Sequence, residues 1–444
     1  MGDLPVLNLL PDEFYEQFLS ELAVNRTDDA IRELMPLENR PGLISMLVGK
    51  PNSSSFPITS LSFTAQDPND ASKEIAIRLT PEELEVGLQY SPTQGVPEFV
   101  DWLYKLQEVS HGRKRGEGWK LSVGNGSQDL LYKAVTSFVN PGDPVFLEAP
   151  MYPGVIPLFQ TIRCNIYEVE TDAKGICSHK LRAMLESWPA SNPKPKILYT
   201  VPYGCNPTGM TATLERRLEI LALAREHNFV ILEDDPYFYV YYGTAPRPPS
   251  YFSLEREQPD VGRVIRFDSL SKVLSSGLRL GFASGPLTLM RAIDRHSTNA
   301  NLQPNSMAQI LVISVLSRWG HDGFLTHTQR VSEFYRAKRD VFETALRRHL
   351  TGLVEWVTPE SGMFMWFKLL LTEDDDEEGD SAAAIRTHAF ERGVLALPGT
   401  VFLPSGRKTA YARASFSLLE PPQVDEALRR LKDAILDARS AAKK

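Results

Sequence analysis

Residues 229–237 read Phe-Val-Ile-Leu-Glu-Asp-Asp-Pro-Tyr, four apolar side chains followed at once by Glu233, Asp234 and Asp235 and then a proline. An apolar run this short, without polar alternation, suits a strand covered on both faces. The residues before it, Leu214–His227, place Leu218, Leu221, Leu223 and Ala224 on one stripe of a helix. Those after it supply a second apolar run at 264–267, ending in Asp268-Ser269-Leu270-Ser271-Lys272. Further apolar runs at 144–147, 196–200 and 280–284 repeat the pattern. Short buried strands alternating with helices predict an α/β fold whose large domain is a mostly parallel sheet with helices on both faces.

The pattern changes after about residue 325. A long amphipathic helix over 331–350 stops at Gly352, and later strands, 363–368 and 411–417, are separated by longer polar connections. These features predict a smaller α+β domain. Thr80-Pro81-Glu82-Glu83 opens a helix as a capping box with proline in its first turn. The segment before it, 40–80, is rich in Ser, Pro and Asn and reads as an arm or loop packed on other elements. The division expected is therefore 1–79 as N-terminal arm and part of the small domain, 80–325 as the large domain, and 326–444 as the C-terminal small domain.

The chain has 444 residues and a formal net charge of −8, unevenly spread. Residues 1–42 hold nine acids and three arginines, and 373–380 hold seven acids in eight residues, which leaves the remaining body at +5. The acidic run reads as a solvated loop. An acidic N-terminal segment has the wrong sign for neutralising phosphates, so no nucleic-acid partner is expected. No apolar run approaches the ~20 residues needed to span a bilayer. Residues 1–10 lack the basic and apolar regions of a leader. Cys164, Cys177 and Cys205 are too few for a disulfide framework and lack metal-ligand spacing. A cytoplasmic protein without a metal site or membrane partner is the expectation.

Several polar clusters fall at the carboxyl ends of the strand candidates, where open α/β sheets bind ligands. Gly124-Asn125-Gly126-Ser127-Gln128-Asp129 leads into an apolar helix. Such a stretch suits either a turn that only starts a helix or a phosphate site at a helix N-terminus. It is not a dinucleotide fingerprint, because Asp129 stands where the third glycine would be. Ser269, Ser271, Lys272 and, seven residues on, Arg279 bring hydroxyls and cations suited to a dianion.

Together with Tyr203-Gly204-Cys205-Asn206-Pro207-Thr208-Gly209 and Tyr411-Ala412-Arg413-Ala414-Ser415-Phe416, these motifs resemble the fold type I pyridoxal-phosphate aminotransferases. Within that family the chain is most similar to the kynurenine/α-aminoadipate and fungal aromatic aminotransferase group. The resemblance runs from about residue 43 to residue 419 with the motifs in family order. It implies pyridoxal 5'-phosphate as cofactor, and amino acids with 2-oxo acids such as 2-oxoglutarate as substrates. Lys272 would attach the cofactor and then move the proton at the substrate Cα, which requires an amine that loses its proton well below the free value of ~10.4.

In the same mapping Asp234 would pair with the pyridine nitrogen, Asn206 and Tyr237 with the ring oxygen, and Tyr152 would stack on the ring. Ser127, Gln128, Ser269, Ser271 and Arg279 would hold the phosphate. Tyr90 would be lent to a neighbouring subunit's phosphate, making the enzyme a homodimer with shared sites. Arg413 would grip the substrate carboxylate, with Asn206, Gly49 and Arg32 completing the substrate side. Val48 departs from the family pattern, which has a small residue there, and would narrow the pocket. Other reactions on the same scaffold, C–S lysis by β-elimination or decarboxylation, form the alternative reading.

Overall fold

The computed structural model describes residues 7–372 and 379–442. Most of the acidic run lies outside the described residues. In chain order the strands are β1 (Ser62–Gln66), β2 (Glu74–Arg78), β3 (Trp119–Gly124), β4 (Pro144–Ala149), β5 (Asn165–Asp172), β6 (Gly175–Ile176), β7 (Ile197–Thr200), β8 (Val230–Asp234), β9 (Val264–Ser269), β10 (Gly281–Pro286), β11 (Val354–Trp356), β12 (Phe364–Leu369), β13 (Leu397–Pro398) and β14 (Tyr411–Ser415).

The central sheet has the order β3-β10-β9-β8-β7-β4-β5-β6. Strands β9, β8, β7, β4 and β5 run parallel to one another, while β10 is antiparallel to both β9 and β3, and β6 is antiparallel to β5. This is the mostly parallel sheet predicted from the apolar runs. Every residue of β4, β7, β8, β9 and β10 is buried, as strands covered on both faces require. Two apolar cores flank the sheet, one including Phe146, Leu198, Ile231 and Val264, the other Leu147, Tyr199, Leu232 and Phe267. Adjacent residues of one strand thus feed opposite cores, as the pleat dictates.

A third core belongs to the smaller sheet, ordered β11-β12-β14-β13, and packs Met365, Phe367 and Ala412 against the helix Pro421–Ala442 through Leu428 and Leu431. The helix foreseen over 331–350 is the second half of a longer one, Ser306–Leu350, interrupted at Gly320, whose φ of 65° lies in the left-handed region. Gly352, with φ of 76°, follows its end, as the sequence suggested. The capping box at Thr80 is present with both of its reciprocal bonds.

The segment 40–80 differs from the plain arm or loop expected. It contains the antiparallel hairpin β1–β2, whose inward residues Phe63, Ile75 and Ile77 alternate with exposed ones. The alternation is legible in Glu74–Arg78 once read with a period of two, but the flanking Ser, Pro and Asn residues mask it. Tyr15, Phe18 and Ala23 of the N-terminal segment and Leu79 join the two cores of the large sheet.

Candidate active site

The chemistry gathers at one edge of the large sheet because of its register. Parallel strands β4, β7, β8 and β9 end there, and antiparallel β10 begins there, so Gly281 lies opposite both Gly124 of β3 and Ser269 of β9. The loops leaving these ends carry Tyr152, Asn206, Asp234, Tyr237 and Lys272, and Arg279 lies just before β10.

The glycine-rich turn between β3 and the helix Ser127–Phe138 is pinned from below. Asp129 accepts a hydrogen bond from the Asn125 N–H at 3.0 Å and is itself held by buried Lys133 at 2.8 Å. The residue that broke the dinucleotide pattern therefore shapes the loop. Gly126 has φ of 89°, and a Cβ on it would stand 2.5 Å from Nη2 of Arg279. A Cβ on Gly281 would meet the Ser127 N–H at 2.6 Å. Both glycines keep a hollow open between a helix N-terminus and a guanidinium, an arrangement suited to a phosphate. Arg279 also donates to Ser271 Oγ at 3.3 Å, and Ser269 Oγ accepts from the Ser271 N–H. The Gln128 side chain donates to the Gly154 carbonyl at 2.8 Å.

Asp234 is buried at the end of β8. Its Oδ2 accepts from the Tyr199 hydroxyl at 2.7 Å, whereas Oδ1 is buried without a partner. Burial raises its pKa to about 6, opposed first by the Tyr199 bond and then by the Lys272 charge. The Lys272 ammonium is held below its ordinary pKa by burial, reinforced by Arg279 and opposed by Asp234. The phenols of Tyr152 and Tyr237 are raised by burial and then by the Asp234 charge, and both feel Arg413. Lys272, Asp234, Tyr152, Tyr237, Arg279 and Arg413 thus share one electrostatic neighbourhood.

Arg413 reaches this neighbourhood from β14 of the smaller sheet. Its Nη1 donates to Oδ1 of Asn206 at 2.7 Å, its guanidinium lies 4.1 Å from the Phe364 ring centre and 5.2 Å from that of Phe402, and its buried Nε–H has no partner. Burial lowers its pKa. A planar cation clamped between rings with a free N–H suits one carboxylate. Phe364 and Phe402 were not found from sequence, since only the pairing of β12 and of β13 with β14 brings Phe364 and the segment ending in Phe402 to Arg413.

The structure does not bring the remaining three residues to this cluster. Arg32 bonds Thr93 at 2.7 Å and Gln303 at 3.5 Å. Tyr90 is 51% exposed and shares with Arg32 a cavity of about 690 Å³. Gly49 is exposed, with no atom within 4 Å of where a Cβ would stand. Among the described residues no cluster of His, Cys, Asp and Glu could hold a metal, and no helix is long and apolar enough to cross a membrane.

Residues 66–431 match the family model for aminotransferase class I and II, and the chain belongs to that family. It is 42% identical over 404 residues to aminotransferase tdiD of Emericella nidulans, covering 90% of this chain and 91% of the relative. It is 36% identical to the mitochondrial kynurenine/alpha-aminoadipate aminotransferase of Mus musculus, over 96% of this chain and 99% of that one. The crystal structure of aminotransferase Aro8 from Candida albicans superimposes with a TM-score of 0.87 at 25% identity, covering 98% and 99% of the two chains. The family uses pyridoxal phosphate, and the unpartnered Asp234 Oδ1 together with the hollow beside Ser127 fits that group.

Proposed function

We propose that this aminotransferase moves the amino group of an aromatic or α-aminoadipate-like amino acid to a 2-oxo acid such as 2-oxoglutarate. Bound pyridoxal phosphate supplies the carbonyl carbon that receives the amino group and the ring that takes up the electron pair left at Cα. Asp234, through its unpartnered Oδ1, would pair with the ring nitrogen and keep it protonated. The N-terminus of the helix Ser127–Phe138, Ser269, Ser271 and Arg279 would hold the phosphate, and Tyr152 and Tyr237 would bound the ring.

Lys272 would hold the cofactor covalently, and its amine would move the proton at the substrate Cα, a task favoured by its lowered pKa. Arg413 and Asn206 orient the substrate carboxylate so that the Cα–H bond faces Lys272. The observation that carries the reading is the buried, unpartnered Oδ1 of Asp234 in the electrostatic neighbourhood of Lys272.

The site is shared in this reading. Ile44 and Met46 are 93% and 97% exposed, flanking the Val48-Gly49 stretch, and Tyr90 lies open beside Arg32. Apolar side chains so placed gain by burial against a second copy of the chain, to which Tyr90, Gly49 and Arg32 would be presented. Three free cysteines suit the reducing cytoplasm. Screening about twenty amino donors against 2-oxoglutarate tests the activity: kynurenine, aromatic amino acids or α-aminoadipate should yield glutamate. Absence of glutamate with every donor refutes it.

A further inference from the structure

Tyr199 and Thr200 are neighbours on β7, and each donates its hydroxyl to a buried acid on opposite faces of the sheet. Thr200 reaches Glu148 Oε2 at 2.7 Å, while the Val201 N–H and the Cys205 thiol, at 2.7 and 3.3 Å, fill Glu148 Oε1. Both oxygens of that acid are therefore satisfied. Tyr199 reaches Asp234 Oδ2 at 2.7 Å, and nothing reaches Oδ1. Buried carboxylates ordinarily have both oxygens bonded. Among the described residues one other, Asp235, keeps a bare oxygen, but it sits on the opposite face, ion-paired with Arg266, and burial raises its pKa.

The geometry of Tyr199 leaves its hydroxyl no other choice of partner. The residue pairs with Leu232 on β8, two positions from Asp234 and on the same face. Its ring is fully buried in the core with Leu147, Leu232 and Phe159. Burial, and then the Asp234 charge, keep the phenol protonated, so it stays a donor.

We propose that Tyr199 is a positioning residue for Asp234: by occupying Oδ2 it fixes the rotation of the carboxylate, points Oδ1 at the cofactor ring nitrogen and keeps the acid charged. The proposal rests on the cofactor reading above. Deleting the hydroxyl would leave Asp234 without a donor on either oxygen. Burial would then favour its protonated form, which cannot hold a proton on the ring nitrogen.

The test uses the holoenzyme and two readouts besides turnover, the rate of pyridoxal phosphate loss on dialysis and the pH titration of its bound absorbance. Tyr199→Phe should release cofactor about tenfold faster, the loss of one hydrogen bond to a charged group, and should displace the midpoint of the titration. In an Asp234→Asn background the same substitution should change release less than about twofold, because the charged partner is gone. Equal acceleration in both backgrounds would mean a merely structural role and overturn the proposal, as would release and titration unchanged from wild type.

A measurement on the wild-type protein covers the case in which Tyr199→Phe does not fold. The hydroxyl proton of Tyr199, observed by NMR, should move when pyridoxal phosphate is added to apoprotein and move less with the analogue whose ring nitrogen is replaced by carbon. Identical responses overturn the proposal. A wild-type protein that retains no pyridoxal phosphate overturns both this inference and the functional reading beneath it.

Discussion

Nη1 of Arg413, on the smaller sheet, donates to Oδ1 of Asn206, on the loop after β7 of the large sheet, at 2.7 Å. One hydrogen bond thus spans the two structural units at the point where a substrate carboxylate would bind. Asn206 holds one arm of the guanidinium and Phe364 and Phe402 flank its plane, leaving the buried Nε–H for an anion. Arg413→Lys keeps the charge but loses the fork and the Asn206 contact. Steady-state kinetics should show KM for the amino donor rising about 10- to 100-fold, equivalent to about 1–3 kcal/mol, with a smaller change in kcat. An unchanged KM would remove Arg413 from the carboxylate site.

Lys272→Ala deletes the amine without altering the phosphate hollow. The variant should still bind pyridoxal phosphate, now released by denaturation without reduction, and turnover should fall by more than about 10³-fold. Mass spectrometry after borohydride treatment checks the covalent half of this expectation, since wild type should gain the mass of the reduced cofactor and the variant should not.

Gly281→Ala places a methyl group 2.6 Å from the Ser127 N–H and 2.7 Å from the Asp268 carbonyl, both backbone atoms that cannot swing aside. The strand must shift, and overpacking of this kind costs about 1–3 kcal/mol. Thermal melts of the apoprotein should show that loss, and cofactor titration should show weaker binding, because the displaced N–H belongs to the helix N-terminus proposed to hold the phosphate.

Glu148 is completely buried and its pKa is raised to about 7 from 4.5, burial being the main cause. Between those values the folded protein keeps a proton that the unfolded chain has lost, so its contribution to stability falls as pH rises from 4.5 to 7 and levels off above. Urea unfolding of apoprotein at pH 5 and pH 8 should show this loss. Glu148→Gln should diminish it by about 1–3 kcal/mol. An identical pH slope in the variant would show that Glu148 does not titrate in this range.

Ile44→Asp combined with Met46→Asp adds two charges to side chains exposed within the chain. If these residues pack on a second copy, the double variant should sediment as a monomer, with activity and cofactor retention falling together as Tyr90 is withdrawn. A wild-type protein that is monomeric at micromolar concentration would refute the shared site.

The large sheet was legible at Phe229–Tyr237 because a strand buried on both faces must be apolar throughout, and its end is marked by the first acids. Lys272, Arg279 and the glycine turn were legible for a related reason: phosphate chemistry needs cations, hydroxyls and free N–H groups in short loops, and these are local in sequence. The hairpin β1–β2 was not, since only one face is buried and the period-two signal is short.

Sequence by itself determined the strand–helix alternation, the Asp234 and Lys272 strand ends, and the family to which those motifs point. Which acids keep a free oxygen, Asp234 and Asp235, and which of the two lies in the neighbourhood of Lys272 were decided only by the tertiary structure. Glu148, Glu233, Asp234 and Asp235 are all buried acids at strand ends, and nothing local separates them. Their donors come from elsewhere in the chain: Thr200, Val201 and Cys205 for Glu148, the Tyr251 and Phe252 N–H groups for Glu233, Arg266 for Asp235, and Tyr199 for Asp234. Hydrogen-bond satisfaction is a property of three-dimensional neighbours, so the half-satisfied acid facing Lys272 emerges only when β7 is laid beside β8.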